Sequence, residues 1–96
     1  MKNNLQIIRK HEVLSRLPFS LSTLCSRIDD KLFIPPVSLG GRAVGFVSSE
    51  VDCCIAAMVA GKNNDELTEI VAELIENRQT TLNSLFKDHQ SKLEVL

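Results

Sequence analysis

The chain has no tryptophan, no tyrosine and only four phenylalanines, Phe19, Phe33, Phe46 and Phe86. So few rings argue against a stacking platform for single-stranded nucleic acid, which needs several exposed aromatics along one groove. The three cysteines, Cys25, Cys53 and Cys54, are odd in number and contain no CxxC spacing. They read as reduced, buried thiols of a cytoplasmic protein, not as a disulfide framework. Cys53 and Cys54 adjoin, but neighbouring helix positions point apart and no third ligand is near in sequence, so no metal and no other cofactor is expected. No apolar run approaches membrane-spanning length, and no apolar leader pattern opens the chain. A P-loop, a dinucleotide fingerprint and metal-ligand spacing are all missing. His11 and His89 lie in different segments without a carboxylate or nucleophile partner, so no catalytic residue is assigned and the chain is not expected to be an enzyme.

Neither sign of charge dominates, but the halves differ. Residues 1–60 carry seven basic groups (Lys2, Arg9, Lys10, Arg16, Arg27, Lys31, Arg42) against five acidic ones (Glu12, Asp29, Asp30, Glu50, Asp52). Residues 61–96 carry four basic groups against seven acidic. Any nucleic-acid binding must therefore lean on a few well-placed cations instead of a strong field.

What is present is a sequence of short elements in 96 residues, 44% of them hydrophobic. Lys10 to Leu17 reads as a helix with Val13, Leu14 and Leu17 on one face, and Pro18 forces a turn. Ser20 is placed to cap a second helix. In it Leu21, Leu24, Cys25 and Ile28 form an i, i+3, i+4, i+7 stripe that predicts a core-facing side. Ser22, Ser26 and Asp29 then face outward, flanked by Thr23 and Arg27. Ile34-Pro35-Pro36 stops helical structure. Val37-Ser38-Leu39 and Ala43 to Val47 read as two strands around a Gly40-Gly41 turn, with Arg42 beside the tip. Ser48-Ser49 is expected to cap a third helix, with Glu50 and Asp52 near its positive end. Its predicted buried face is Val51, Ile55, Met58 and Val59, and Gly61 ends it.

Lys62-Asn63-Asn64 reads as a polar linker, with Asp65 capping the segment after it. The tail carries a broad stripe (Leu67, Ile70, Val71, Leu74, Ile75) that narrows to Val71, Ile75, Arg78, Leu82, Leu85 and His89. That narrower stripe has heptad spacing with two polar intruders, and Thr80-Thr81 is a predicted break into two helices. The expected organisation is residues 1–61 as one domain and 62–96 as a helical extension. Glu66–Leu96 is expected to mediate homodimerisation, so that a chain ending at Asn64 remains a folded monomer.

With these elements in order, the sequence resembles the AlpA family, short phage- and island-associated regulators and excisionase-like factors with a MerR-like winged-helix fold. The residues that carry the resemblance are HEVLSRLPFSLSTLCSRI (His11–Ile28), Leu32-Phe33 with Pro36, VSLGGRAVGF (Val37–Phe46) and SSEVD (Ser48–Asp52). It covers roughly residues 8–60 and implies a mainly α winged helix-turn-helix with a small β-hairpin, followed by the C-terminal helical extension. Leu21 and Ser26 stand where the family commonly has a basic residue, Ser38 replaces a frequent Lys, and Ile34-Pro35 replaces Pro-Lys. Cys25 replaces a usual Tyr, and Phe46 and Cys54 replace usual Trp residues. The function this implies is sequence-specific binding of duplex DNA as a transcriptional regulator or excisionase-like factor of a mobile element. Ser20, Ser22, Thr23, Ser26 and Arg27 on the second helix and Arg42 on the wing are the expected DNA contacts, and two copies on adjacent sites are expected for tight binding. The alternative is a protein-interaction module, a winged-helix scaffold that has lost its basic surface and binds another regulator through the acidic tail.

Overall fold

The structure, a computed structural model, describes the backbone of residues 5–95 and the side chains of residues 5–87. The element order is β1 (Ile7–Ile8), α1 (Lys10–Ser15), α2 (Leu21–Asp29), β2 (Val37–Ser38), β3 (Val44–Val47), α3 (Ser48–Val59) and α4 (Asn64–Val95). The architecture is the expected one, mostly helical with a small antiparallel sheet in a winged helix-turn-helix arrangement. β1 was not anticipated. It pairs with β3 (Ile7 with Val47, Ile8 with Phe46), and the hairpin pairs Val37 with Gly45 and Ser38 with Val44, giving the order β1-β3-β2. Gly45 makes this possible: a Cβ there would collide with the Ile7 side chain and come within 3.3 Å of the Ile8 carbonyl oxygen.

The core is built from every element except β2. Phe33, Phe46, Leu24, Ile34, Val13 and Val51 are fully buried, and Phe33 meets Phe46 edge to face with ring centroids 6.5 Å apart. Burying one such side chain is worth about 1.5–3 kcal/mol, so these six supply much of the drive to fold. Leu67 and Val71 of α4 are also buried, and Leu74 packs against the same cluster. A chain ending at Asn64 would lose all three, which argues against the expected folded monomer: the first half of α4 completes the core. Nor does Thr80-Thr81 divide the tail, since α4 runs unbroken through both residues. Weak helix propensity at two positions is a few tenths of a kcal/mol each, less than continuous helical hydrogen bonding supplies. His89 in the heptad stripe lies outside the residues whose side chains are described.

Several helix ends differ from expectation. α3 is capped by Val47 with no side-chain bond, and Ser48 sits inside the first turn, buried, where its Oγ accepts from Arg16 Nη1 at 3.3 Å. The helix can start without a hydroxyl cap because β3 runs straight into it and the Ser48 N–H donates to the Gln6 carbonyl at 2.8 Å. Asp52 lies beyond the first turn and pairs with Arg16 at 3.3 Å. Val59 is 83% exposed, and Cys54 and Ala57 take its place in the core. Gly61 ends the helix as expected, at φ +78, with Gly61 N–H to Met58 O and Lys62 N–H to Ala57 O, the two bonds of a Schellman motif. α2 stops by the same device before the prolines are reached: Lys31 takes φ +63, and Leu32 N–H donates to Arg27 O at 2.8 Å. α4 is capped by Asn63, not Asp65. Asn63 Oδ1 accepts from Glu66 N–H at 2.9 Å while Glu66 Oε1 accepts from Asn63 N–H at 3.2 Å, a reciprocal capping box. That amide, and then Lys62, hold the Glu66 carboxyl below its ordinary pKa.

Candidate nucleic-acid interface

The second helix starts where Ser20 puts it. Ser20 is extended (φ −76°, ψ 166°), and its Oγ accepts the Thr23 N–H at 3.2 Å. The Thr23 hydroxyl closes on the same oxygen at 3.1 Å. These two expected contact residues are thus exposed but already joined to one another, and their first task is to hold the helix start. Ser22 and Ser26 are exposed on the outward side with no side-chain hydrogen bond of their own among the described residues.

Arg27 is half-buried, its guanidinium carbon 4.6 Å from the centroid of the Phe19 ring. The turn residue Phe19 therefore fixes the direction of the cation, since a guanidinium over a ring face is held by about 0.5–1 kcal/mol. The wing is built by Gly40 (φ +100) and Gly41 (φ +55), conformations that L side chains rarely adopt. Ala43 N–H donates to Gly40 O at 3.0 Å and Leu39 N–H to Ala43 O at 2.9 Å, closing the turn around Arg42. Arg42 is exposed, and no ion pair engages it among the described residues.

The core stripe expected for α2 is narrower than its spacing suggested. Leu24 is buried and Ile28 half-buried, but Leu21 is 49% exposed and Cys25 is exposed. Helical Cα–Cβ bonds tilt toward the N-terminus, so the first residue of a helix reaches back past the end of whatever the next turn packs on. That tilt was available in the sequence; the extent of the core beneath it was not.

Cys53 is exposed too, so the expectation of buried thiols holds for Cys54 alone. Burial, ahead of every other influence, pushes the Cys54 thiol up to about 11 from an ordinary 9.0. The protonated thiol suits the core, so its contribution to stability is complete below about pH 9 and is lost as the pH rises toward 11. At pH 8 a native sample treated with iodoacetamide should take up two labels quickly, at Cys25 and Cys53, and a third only after denaturation. Mass spectrometry against time gives the count, and three labels entering at one rate would contradict the burial of Cys54.

The surrounding charges were not legible in the sequence. Arg78 of α4 clasps Glu50 with two bonds, Nε to Oε2 at 2.8 Å and Nη2 to Oε1 at 2.6 Å, and Nη2 also donates to Pro35 O at 2.9 Å. The Glu50 side chain is 7% exposed, and the pairing raises the Arg78 pKa. The intruder in the tail stripe is therefore the clamp that joins α4 to α3 and to the loop leading into the wing.

The family model for the prophage CP4-57 regulatory protein (AlpA) matches residues 6–57. The chain belongs to the AlpA family. The match runs from β1 to within two residues of the end of α3 and includes the second helix, the wing and the start of the clamp at Glu50. The chain therefore carries its matched region together with an α4 whose first half completes the core. No curated protein and no solved structure matches the chain. Among the described residues no helix is long and apolar enough to cross a membrane, and no group of three or more potential metal ligands occurs.

Proposed function

We propose that this AlpA-family chain is a non-enzymatic, cytoplasmic, sequence-specific duplex-DNA-binding protein that regulates a mobile element, through transcription or as an excisionase-like directionality factor. The observation that carries the reading is the division of α2. Its inner side holds Leu24 in the core, while its outer side leaves Ser22 and Ser26 open to solvent, in a family of prophage regulators. In a helix-turn-helix this is the helix that enters the major groove, with its N-terminal residues nearest the base edges. Arg42, at the tip of a stiff two-glycine turn, is suited to hold a phosphate or the adjacent minor groove. Ser20 and Thr23 serve this site by fixing the helix start, and Arg27 serves it as a cation aimed by Phe19.

Hydroxyls discriminate bases weakly, so two copies acting together belong to the proposal. Leu82 and Phe86, 56% and 55% exposed on the second half of α4, support self-association through Glu66–Leu96. The test is fluorescence anisotropy of random and host-genomic duplexes at two salt concentrations, alongside sedimentation of the free protein at tens of micromolar. Binding that weakens with salt and prefers particular genomic fragments is expected, from a sedimenting dimer. No duplex affinity at low salt would replace this reading with the protein-interaction module.

A further inference from the structure

Resting on the duplex-binding reading, we propose that Leu21, extended by Cys25, reads the 5-methyl group of a thymine in the major groove. Three observations exclude the usual chemistry from this helix. The Ser20 and Thr23 hydroxyls are engaged with each other and with the helix start. Arg27 is half-buried on the flank, its guanidinium held over the Phe19 ring. Besides Thr23, the exposed residues of the first two turns are Leu21, Ser22, Cys25 and Ser26, which include no cation and no amide. Bidentate recognition of guanine needs Arg or Lys, and that of adenine needs Asn or Gln. Neither is open to these residues.

Apolar contact is. Leu21 is 49% exposed although it is a leucine at the head of an amphipathic helix, and Cys25, four residues on, shares its edge of the helix. A free thiol behaves as a small hydrophobe, so the two form one short apolar strip beside Ser22. In the major groove the thymine methyl is the one base-edge group that such a strip recognises. Leu21 is the first helical residue, the position that reaches deepest when a recognition helix enters by its N-terminus. Thymine preference is then set by van der Waals fit, and Ser22 adds a hydrogen bond to either neighbouring base.

The experiment begins with selection from a random 30-base-pair duplex library by the full-length protein. Each thymine of the enriched sequence is then replaced singly by deoxyuridine, which removes the methyl and leaves pairing intact. At one or more positions the wild-type protein should lose about fourfold in affinity, the worth of one buried methyl group. Leu21→Ala should bind the thymine and deoxyuridine duplexes at that position equally, while Ser22→Ala should keep the difference. Because Leu21 is half-exposed, Leu21→Ala should melt close to wild type, which separates lost contact from lost fold. Indifference to deoxyuridine at every position, or an undiminished methyl effect in Leu21→Ala, overturns the proposal. Failure to enrich any sequence overturns the duplex-binding reading instead, a result distinct from an enriched site whose thymines do not matter.

Discussion

Arg78→Met should destabilise the protein by about 3–5 kcal/mol, the cost of leaving one partner of a buried pair alone. The substitution keeps the apolar stem and removes three donated hydrogen bonds at once, two to Glu50 and one to Pro35 O. Glu50 stays behind, its side chain 7% exposed with no other cation near enough to pair among the described residues. For a domain of this size each kcal/mol lowers Tm by about 4–8 °C, so a fall of more than roughly 12 °C is expected by calorimetry or circular dichroism. Replacing both partners, Arg78→Met with Glu50→Met, should recover most of the loss, because a well-packed apolar pair is often no worse than the ion pair it replaces. A single variant melting within about 2 °C of wild type would show that the clamp does not hold α4 to α3.

The double variant Arg27→Ala with Arg42→Ala should lose roughly a hundredfold in duplex affinity, about tenfold for each charge-assisted contact to phosphate. Residues 1–60 carry seven basic groups against five acidic ones, so removing two cations leaves that part of the chain with no basic excess. The two single variants should differ in kind. Arg42→Ala should weaken all sequences about equally, reduce the salt slope by about one charge, and leave Tm unchanged, since Arg42 is exposed on a glycine turn. Arg27→Ala also strips the cation from Phe19, a contact worth about 0.5–1 kcal/mol, so a small fall in Tm should accompany its loss of affinity. Anisotropy at two salt concentrations, on variants verified as folded, makes the measurement. Unchanged affinity in the double variant would remove both cations from the mechanism and favour the protein-interaction reading.

Short-range chemistry was written in the sequence by itself. Ser20 caps α2 because a hydroxyl one residue before a helix meets a free amide, whatever packs later. Gly40, Gly41 and Gly61 mark a turn and a helix end because left-handed backbone suits glycine wherever it occurs. The order of these local signals predicted the short helices and the hairpin, while the resemblance carried by His11–Ile28, Val37–Phe46 and Ser48–Asp52 implied the winged helix-turn-helix and the family to which the chain belongs. Tertiary structure decided what depends on partners distant along the chain. Spacing placed Leu21, Cys25 and Val59 on apolar faces, yet whether a face is covered depends on how far the opposing elements extend, and these three lie beyond them. β1 is two residues long, too short to carry a period, and exists only because Gly45 leaves room for it beside β3. Arg78 looked like a flaw in an apolar stripe because its partner is 28 residues away on α3. Only the packing of α4 brings that cation onto Glu50, where the apparent flaw becomes a part-buried, doubly hydrogen-bonded ion pair.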